Sequence, residues 1–232
     1  MRSTLPLLPI FALGFLLPPP ALGQSALVDE GTFLITVDGQ QTGTESFSIR
    51  RSGSGAEAQI IATAEIQMDL PEGRLDLRPA LQVSGEDMAV AAYQVKVSGH
   101  RQEEVYVTLG DRRFLTRIRS EQGLQEREFR ATPETVLLDA RAAHQYYFVN
   151  QRAGAEGGSI PVIVPSENRQ YTLSISVVGD ESIQIGGQAV PARHLRLEGN
   201  DAPRDLWVDS QGRVLQLSIE SEGFLATREI RP

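Results

Sequence analysis

The chain has 232 residues, a formal net charge of −8 at neutral pH and no cysteine. That length suits one sizeable β-domain or two small ones. The acidic balance, without a basic cluster, argues against nucleic acid and anionic membrane surfaces as partners, and the missing cysteines remove thiolate metal sites, disulfides and thiol nucleophiles.

The first 23 residues read as a signal peptide. Arg2 supplies the positive start, residues 5–17 are apolar, Pro18, Pro19 and Pro20 break the run, and Ala21 and Gly23 are small residues where a signal peptidase reads. The apolar run falls short of the ~20 residues that cross a bilayer. A single domain over 24–232 is expected to follow, periplasmic or secreted. With no cysteine near the cleavage point, a lipid-anchored lipoprotein is excluded, and a secreted chain that lacks disulfides fits a bacterial envelope best.

Beyond residue 30 the chain alternates with a period of two. Phe33, Ile35 and Val37 mark a first strand, Asp38-Gly39 a hairpin turn, and Phe47 with Ile49 the return. Residues 58–68 place Ile60, Ala62, Ala64, Ile66 and Met68 on one face and Thr63, Glu65 and Gln67 on the other, the signature of a sheet with one wet face. In 74–83, Leu75, Leu77, Leu81 and Val83 stay in phase, while Pro79 predicts an edge or a bulge. Strands follow at 93–97, 105–109 and 114–118, then a charged, weak one at 124–130. This makes about eight meander-like strands. Residues 136–138 are a short buried run.

The one convincing amphipathic helix is predicted over 139–154. Asp139 can cap it, Arg152 sits in its last turn and Gly154 can end it in a left-handed conformation. Ala140, Ala143, Tyr147 and Phe148 fall near one face at helical spacing. Beyond it come a glycine-rich link, an extended edge segment at 160–164, and strands at 171–178, 182–185, 188–197, 206–209, 214–219 and 224–230. The expected fold is therefore all-β and mainly antiparallel, a strongly curved sheet or open half-barrel around one central α-helix.

Three patterns carry a resemblance. They are Gly31-x-Phe33-x-Ile35 with Asp38-Gly39, Gly43 and Phe47; Leu137-Leu138-Asp139 leading into a His/Tyr-bearing helix; and Leu206-Trp207-Val208-Asp209-x-x-Gly212-Arg213-x-Leu215. With these the chain resembles an uncharacterised family of secreted bacterial domains of unknown function. The resemblance implies a half-barrel, or β-clam, similar to the periplasmic carriers that move lipoproteins and hold acyl chains on a concave apolar face. It carries over no site residues.

Catalytic groups are hard to find. Asp139, His144 and Tyr147 could form an acid–base set, but positions five apart do not align on a helix, and neither a Gly-x-Ser-x-Gly nor a Ser-x-x-Lys nucleophile is present. The simpler expectation is that Asp139 caps the helix and His144 faces solvent or a backbone carbonyl. His100, His144 and His194 lack the close spacing of a zinc site. Glu103-Glu104 and Asp180-Glu181 are expected as solvated charge at turns, and Asp209-x-x-Gly212 as a hairpin turn rather than a calcium loop. Trp207 either packs in the core or lines a cavity rim with its indole N–H bonded.

The function expected is a secreted, non-enzymatic envelope protein binding an apolar or lipid-like ligand between sheet and helix, through Ala143, Tyr146, Tyr147, Phe148 and Trp207. The alternatives are a filled-core module that meets an envelope protein, and a hydrolase using His144. No cofactor, metal or nucleic acid is expected.

Overall fold

The computed structural model describes residues 25–139, 141–200 and 202–230. The expected signal peptide and the helix-face residue Ala140 lie outside them.

Eight strands run in meander order: β1 (Ala26–Val37), β2 (Gln40–Ser52), β3 (Gln59–Leu70), β4 (Gly73–Ser84), β5 (Val90–Gly99), β6 (Glu103–Gly110), β7 (Arg113–Ser120) and β8 (Gly123–Arg130). After the short β9 (Val136–Leu137) comes helix α1 (Tyr146–Ala153). A second meander follows: β10 (Gly158–Val164), β11 (Arg169–Ile185), β12 (Gln188–Glu198), β13 (Arg204–Val208), β14 (Val214–Ile219) and β15 (Phe224–Arg228). The alternation that marked these strands is literal in β3, where Ile60, Ala62, Ala64, Ile66 and Met68 are buried and the residues between them exposed.

The strands join in one sheet because β1 pairs with β15, antiparallel, with Phe33 opposite Arg228 and Val37 opposite Phe224. The order then runs from β8 back to β1, across to β15 and back to β9. Every ladder is antiparallel except β9 with β10. Strands β8 and β9 are the two edges, so the sheet curls without closing. Register shifts in β1–β2, β4–β5, β11–β12 and β13–β14 supply the local twist that bends it. Side chains clasp the seam: Arg127 Nη1 donates to the Asn168 carbonyl at 2.7 Å and Gln170 Nε2 to that of Arg130 at 2.8 Å. The curved antiparallel sheet around one helix is thus as the sequence leads one to expect.

Four details differ. Pro79 lies in β4, inside the sheet, and its register with β3 does not shift; pairing simply lapses between Thr63–Ala80 and Ile66–Leu77, where proline has no N–H to give. The segments 171–178 and 182–185 are one strand, β11, carried through a bulge at Val178. Strand β10 is flanked by β9 as well as β11, so it is not the edge. Finally, α1 starts seven residues later than Asp139. Arg141 stands at φ +67° and Ala142 at ψ 86°, which no helix accepts, and a 3₁₀ turn at Ala143–Gln145 intervenes. Gly154 does end α1, at φ +65°.

Candidate functional site

Alternation also predicts which polar residues point inward. On β2, Glu45 is in phase with Phe47 and Ile49 and lies in the core, 0% exposed. Its carboxylate accepts the backbone N–H groups of Ala143 (2.8 Å) and His144 (2.7 Å), and His144 Nδ1 lies 2.7 Å from Oε1. Strand β2 thus reaches across the concavity and caps the 3₁₀ turn that leads into α1. This corrects the expected roles: Asp139 does not cap, and His144 meets neither solvent nor a carbonyl. Its ring is buried against a carboxylate, and its Nε2 has no hydrogen-bond partner among the described residues.

Asp139 instead accepts the Tyr93 hydroxyl at 2.6 Å, while its own N–H donates to Gln145 Oε1 at 2.6 Å. Burial pushes the Tyr93 hydroxyl well above the usual phenol range, and the charge of Asp139 adds to the shift. A third inward set joins the first and last strands. Arg228 holds Asp29 in a two-point ion pair (2.6 and 3.0 Å) and donates to the Glu30 carbonyl at 2.6 Å. Its guanidinium lies 5.3 Å from the centre of the Phe47 ring, which stacks on Phe33 at 5.2 Å and on His144 at 6.0 Å. Gly31 makes this possible, since a methyl there would stand 3.1 Å from Arg228 Nη2.

The five residues expected to bind ligand do not line one space. Ala143, Tyr146 and Phe148 are buried at 0–3% exposure in the main core cluster. Tyr147 is half-buried, its ring edge-on to Phe148 at 5.3 Å; burial, then the nearby charge of Asp29, raises its hydroxyl above the usual range. Trp207 is on the other face of the sheet. In β13 the buried side chains are Arg204, Leu206 and Val208, so Trp207 points outward and packs with Ile185, Ala192 and Leu215. It stacks on His194 at 4.5 Å and donates its indole N–H to Glu181 at 2.6 Å. His194 stands between Glu181 (3.1 Å) and Asp205 (2.8 Å), so Glu181 is bonded rather than simply solvated. Asp209 accepts the N–H groups of Gln211 and Arg213, a hairpin turn as expected.

The histidines are thus dispersed, with His100 in an exposed turn on the Arg74 carbonyl. Among the described residues no three His, Asp or Glu side chains gather as a metal-binding group. Glu45, Asp29, Tyr93, Arg204 and Arg228 were not singled out in the sequence. The available signal was a charged or phenolic residue on the apolar phase of a strand.

Open space occurs at the contact of sheet and helix as well as around the sheet. A small cavity of about 290 Å³ is lined by Tyr146 of α1 with Asp139, Val164, Arg204 and Ile219. Two clefts of about 660 and 710 Å³ flank the β11–β12 hairpin, both bordered by Val190, Asp209 and Arg213. A third, of about 940 Å³, opens beside the β6–β7 turn.

The chain matches no protein-family model and no curated protein. Among solved structures, it is similar to a β-barrel-like protein of the domain of unknown function DUF1849 from Brucella abortus. The two share 11% identity and a TM-score of 0.52 over 90% of this chain and 95% of that one. This likeness shows the fold, and it places the chain beside a β-barrel-like bacterial domain of uncharacterised function.

Proposed function

We propose that the protein is a secreted, non-enzymatic module of the bacterial cell envelope, with a core filled by its own helix, which acts through its outer surface on an envelope partner. One observation carries the reading: Ala143, Tyr146, Phe148 and Val149 stand at 0–3% exposure within a core cluster continuous with the sheet. The leader-like residues 1–23 support secretion. In shape we liken the chain to the periplasmic lipoprotein carriers, but here Tyr146 and Phe148 are packed into the core. A ligand between sheet and helix has correspondingly less support. A hydrolase built on His144 also has little, because its ring and its Glu45 partner are both 0% exposed in their side chains. Exposed apolar residues such as Leu27, Ile61, Leu124 and Val178 offer contact surface instead.

The substitution Tyr146→Asp tests the filled core. A carboxylate forced into that packing costs several kcal/mol, so the variant should lose its β-sheet circular dichroism or unfold in far less urea. A Tyr146→Asp variant with a wild-type urea midpoint would mean the helix is a movable lid.

A further inference from the structure

We infer, resting on the reading above that the outer surface meets an envelope partner, that the open edge of β11 takes up a cationic extended segment of that partner as an added strand. The ladder between β10 and β11 ends with Gly158 opposite Ile175, whereas that between β11 and β12 runs on to Ile185 opposite Gln188. From Ser176 to Ile185, β11 therefore has a neighbouring strand on one side alone among the described residues. In an antiparallel ladder, alternate residues turn their N–H and C=O groups away from the partner strand. No backbone hydrogen bond from outside the β11–β12 ladder reaches this stretch among the described residues. At about 3.3 Å per residue it offers roughly 30 Å of edge on which another strand can pair.

The other edges are less suited to it. Strand β8 is clasped through Arg127 and Gln170, and β9 has just two residues. Charge then selects the occupant. Val177 and Val178 are 39% and 59% exposed. Just beyond them Asp180 and Glu181 stand exposed, on opposite faces of the strand. Arg193 is opposite Asp180 in the ladder, but its guanidinium is turned to the Gly154 and Ala155 carbonyls, in a loop whose next residue, Glu156, is itself exposed. His194 is shared between Glu181 and Asp205, and Arg196 between Asp205 and Glu198, so neither cation neutralises the edge. A second copy of this chain is a poor occupant. Pairing the stretch with itself about a two-fold axis would set Asp180 and Glu181 against the same carboxylates of the other copy, and like charges directly opposed destabilise a ladder. Lysine or arginine at those places would be welcomed instead. The segment that fits is extended, cationic at its centre and β-branched toward the valine pair.

The test titrates the protein, by fluorescence anisotropy, with a labelled, end-blocked peptide of about ten residues, the length of the open edge. The peptide is built of valine and threonine with two adjacent lysines at its centre, one for each face. It should bind one per chain. Replacing both lysines by glutamate should weaken binding about tenfold or more, and Asp180→Lys in the protein about threefold at an unchanged urea midpoint. Prolines on either side of the lysine pair remove N–H groups while keeping the charge, and should abolish binding. In the complex, hydrogen exchange should slow at amides within 176–185 and stay unchanged in β8. Equal affinity for the glutamate or the proline peptide would overturn the inference, as would wild-type binding by Asp180→Lys, no binding at all, or protection confined to another strand. A wild-type urea midpoint for Tyr146→Asp would instead undo the filled core and leave this titration untouched, so the two failures are told apart.

Discussion

Glu45, a strand residue, holds the entry to the helix from across the sheet. A buried carboxylate is costly unless donors surround it, and here two backbone N–H groups and an imidazole nitrogen do so. The bonds run both ways, for those amides open a 3₁₀ turn and have no partner within it. Replacing Glu45 by leucine would strand all three donors in the core. The expected loss is roughly 3–5 kcal/mol, a large part of the 5–15 kcal/mol typical of a domain, read as a fall in the urea midpoint. Glu45→Gln keeps one acceptor oxygen but turns an NH₂ toward a backbone donor, so it should lie between wild type and leucine. A Glu45→Leu variant within about 1 kcal/mol of wild type would show that the cap is incidental. Glu45 was legible in the sequence only as an exception. Between Gly43 and Phe47 on the inward phase of β2 it breaks the apolar pattern, and periodicity alone does not say which distant amide answers it.

At the scale of elements, the strands were legible and the helix only partly so. A strand announces itself by neighbours two apart, and the fifteen-stranded order follows from short turns once β1 meets β15. The start of α1 depends instead on contacts from far along the chain. Glu45 captures the amides of Ala143 and His144, and Tyr93 captures the carboxylate of Asp139 that was expected to cap. Local propensity over 139–154 was overruled by two strands nearly 50 and 100 residues away. The join between β5 and this segment should be visible at alkaline pH. Tyr93 is held neutral in the folded chain first by burial and then by Asp139, so its folded pKa lies above its unfolded one. Unfolding therefore releases a proton once pH passes the unfolded value, about 10, and stability falls from there as pH rises toward the folded value. Tyr93→Phe should be less stable than wild type near pH 7, having lost a hydroxyl donor to a carboxylate, yet decline less steeply between about pH 9 and 11. Parallel declines in thermal midpoint for the two proteins would mean that Tyr93 ionises as freely in the fold as out of it.

For the whole molecule the open question is cooperativity. Two meanders of this length could form two small domains, and β1–β15 is the one ladder that joins them among the described residues. The core argues for one unit. Phe33, Ile66 and Val107 from the first meander share a single buried cluster with Leu173, Leu206 and Leu217 from the second, and α1 sits in the same cluster. The Asp29–Arg228 pair and the Arg127–Asn168 clasp tie the halves at both sides of the sheet. Separating them would bare apolar surface at about 25 cal/mol per Å² and strand a buried ion pair. The sole tryptophan makes this measurable, because Trp207 reports on the second meander alone, on the outer face against His194. A second protein carrying Trp207→Phe and Phe114→Trp would report on the first meander, where Phe114 is buried in β7. With one cooperative unit, the urea transition of each indole should coincide with the circular-dichroism transition of the same protein. If the Trp207 signal were lost at lower urea than the sheet signal, β10–β15 would be melting by itself, and the chain would have to be treated as two domains joined along β1 and β15.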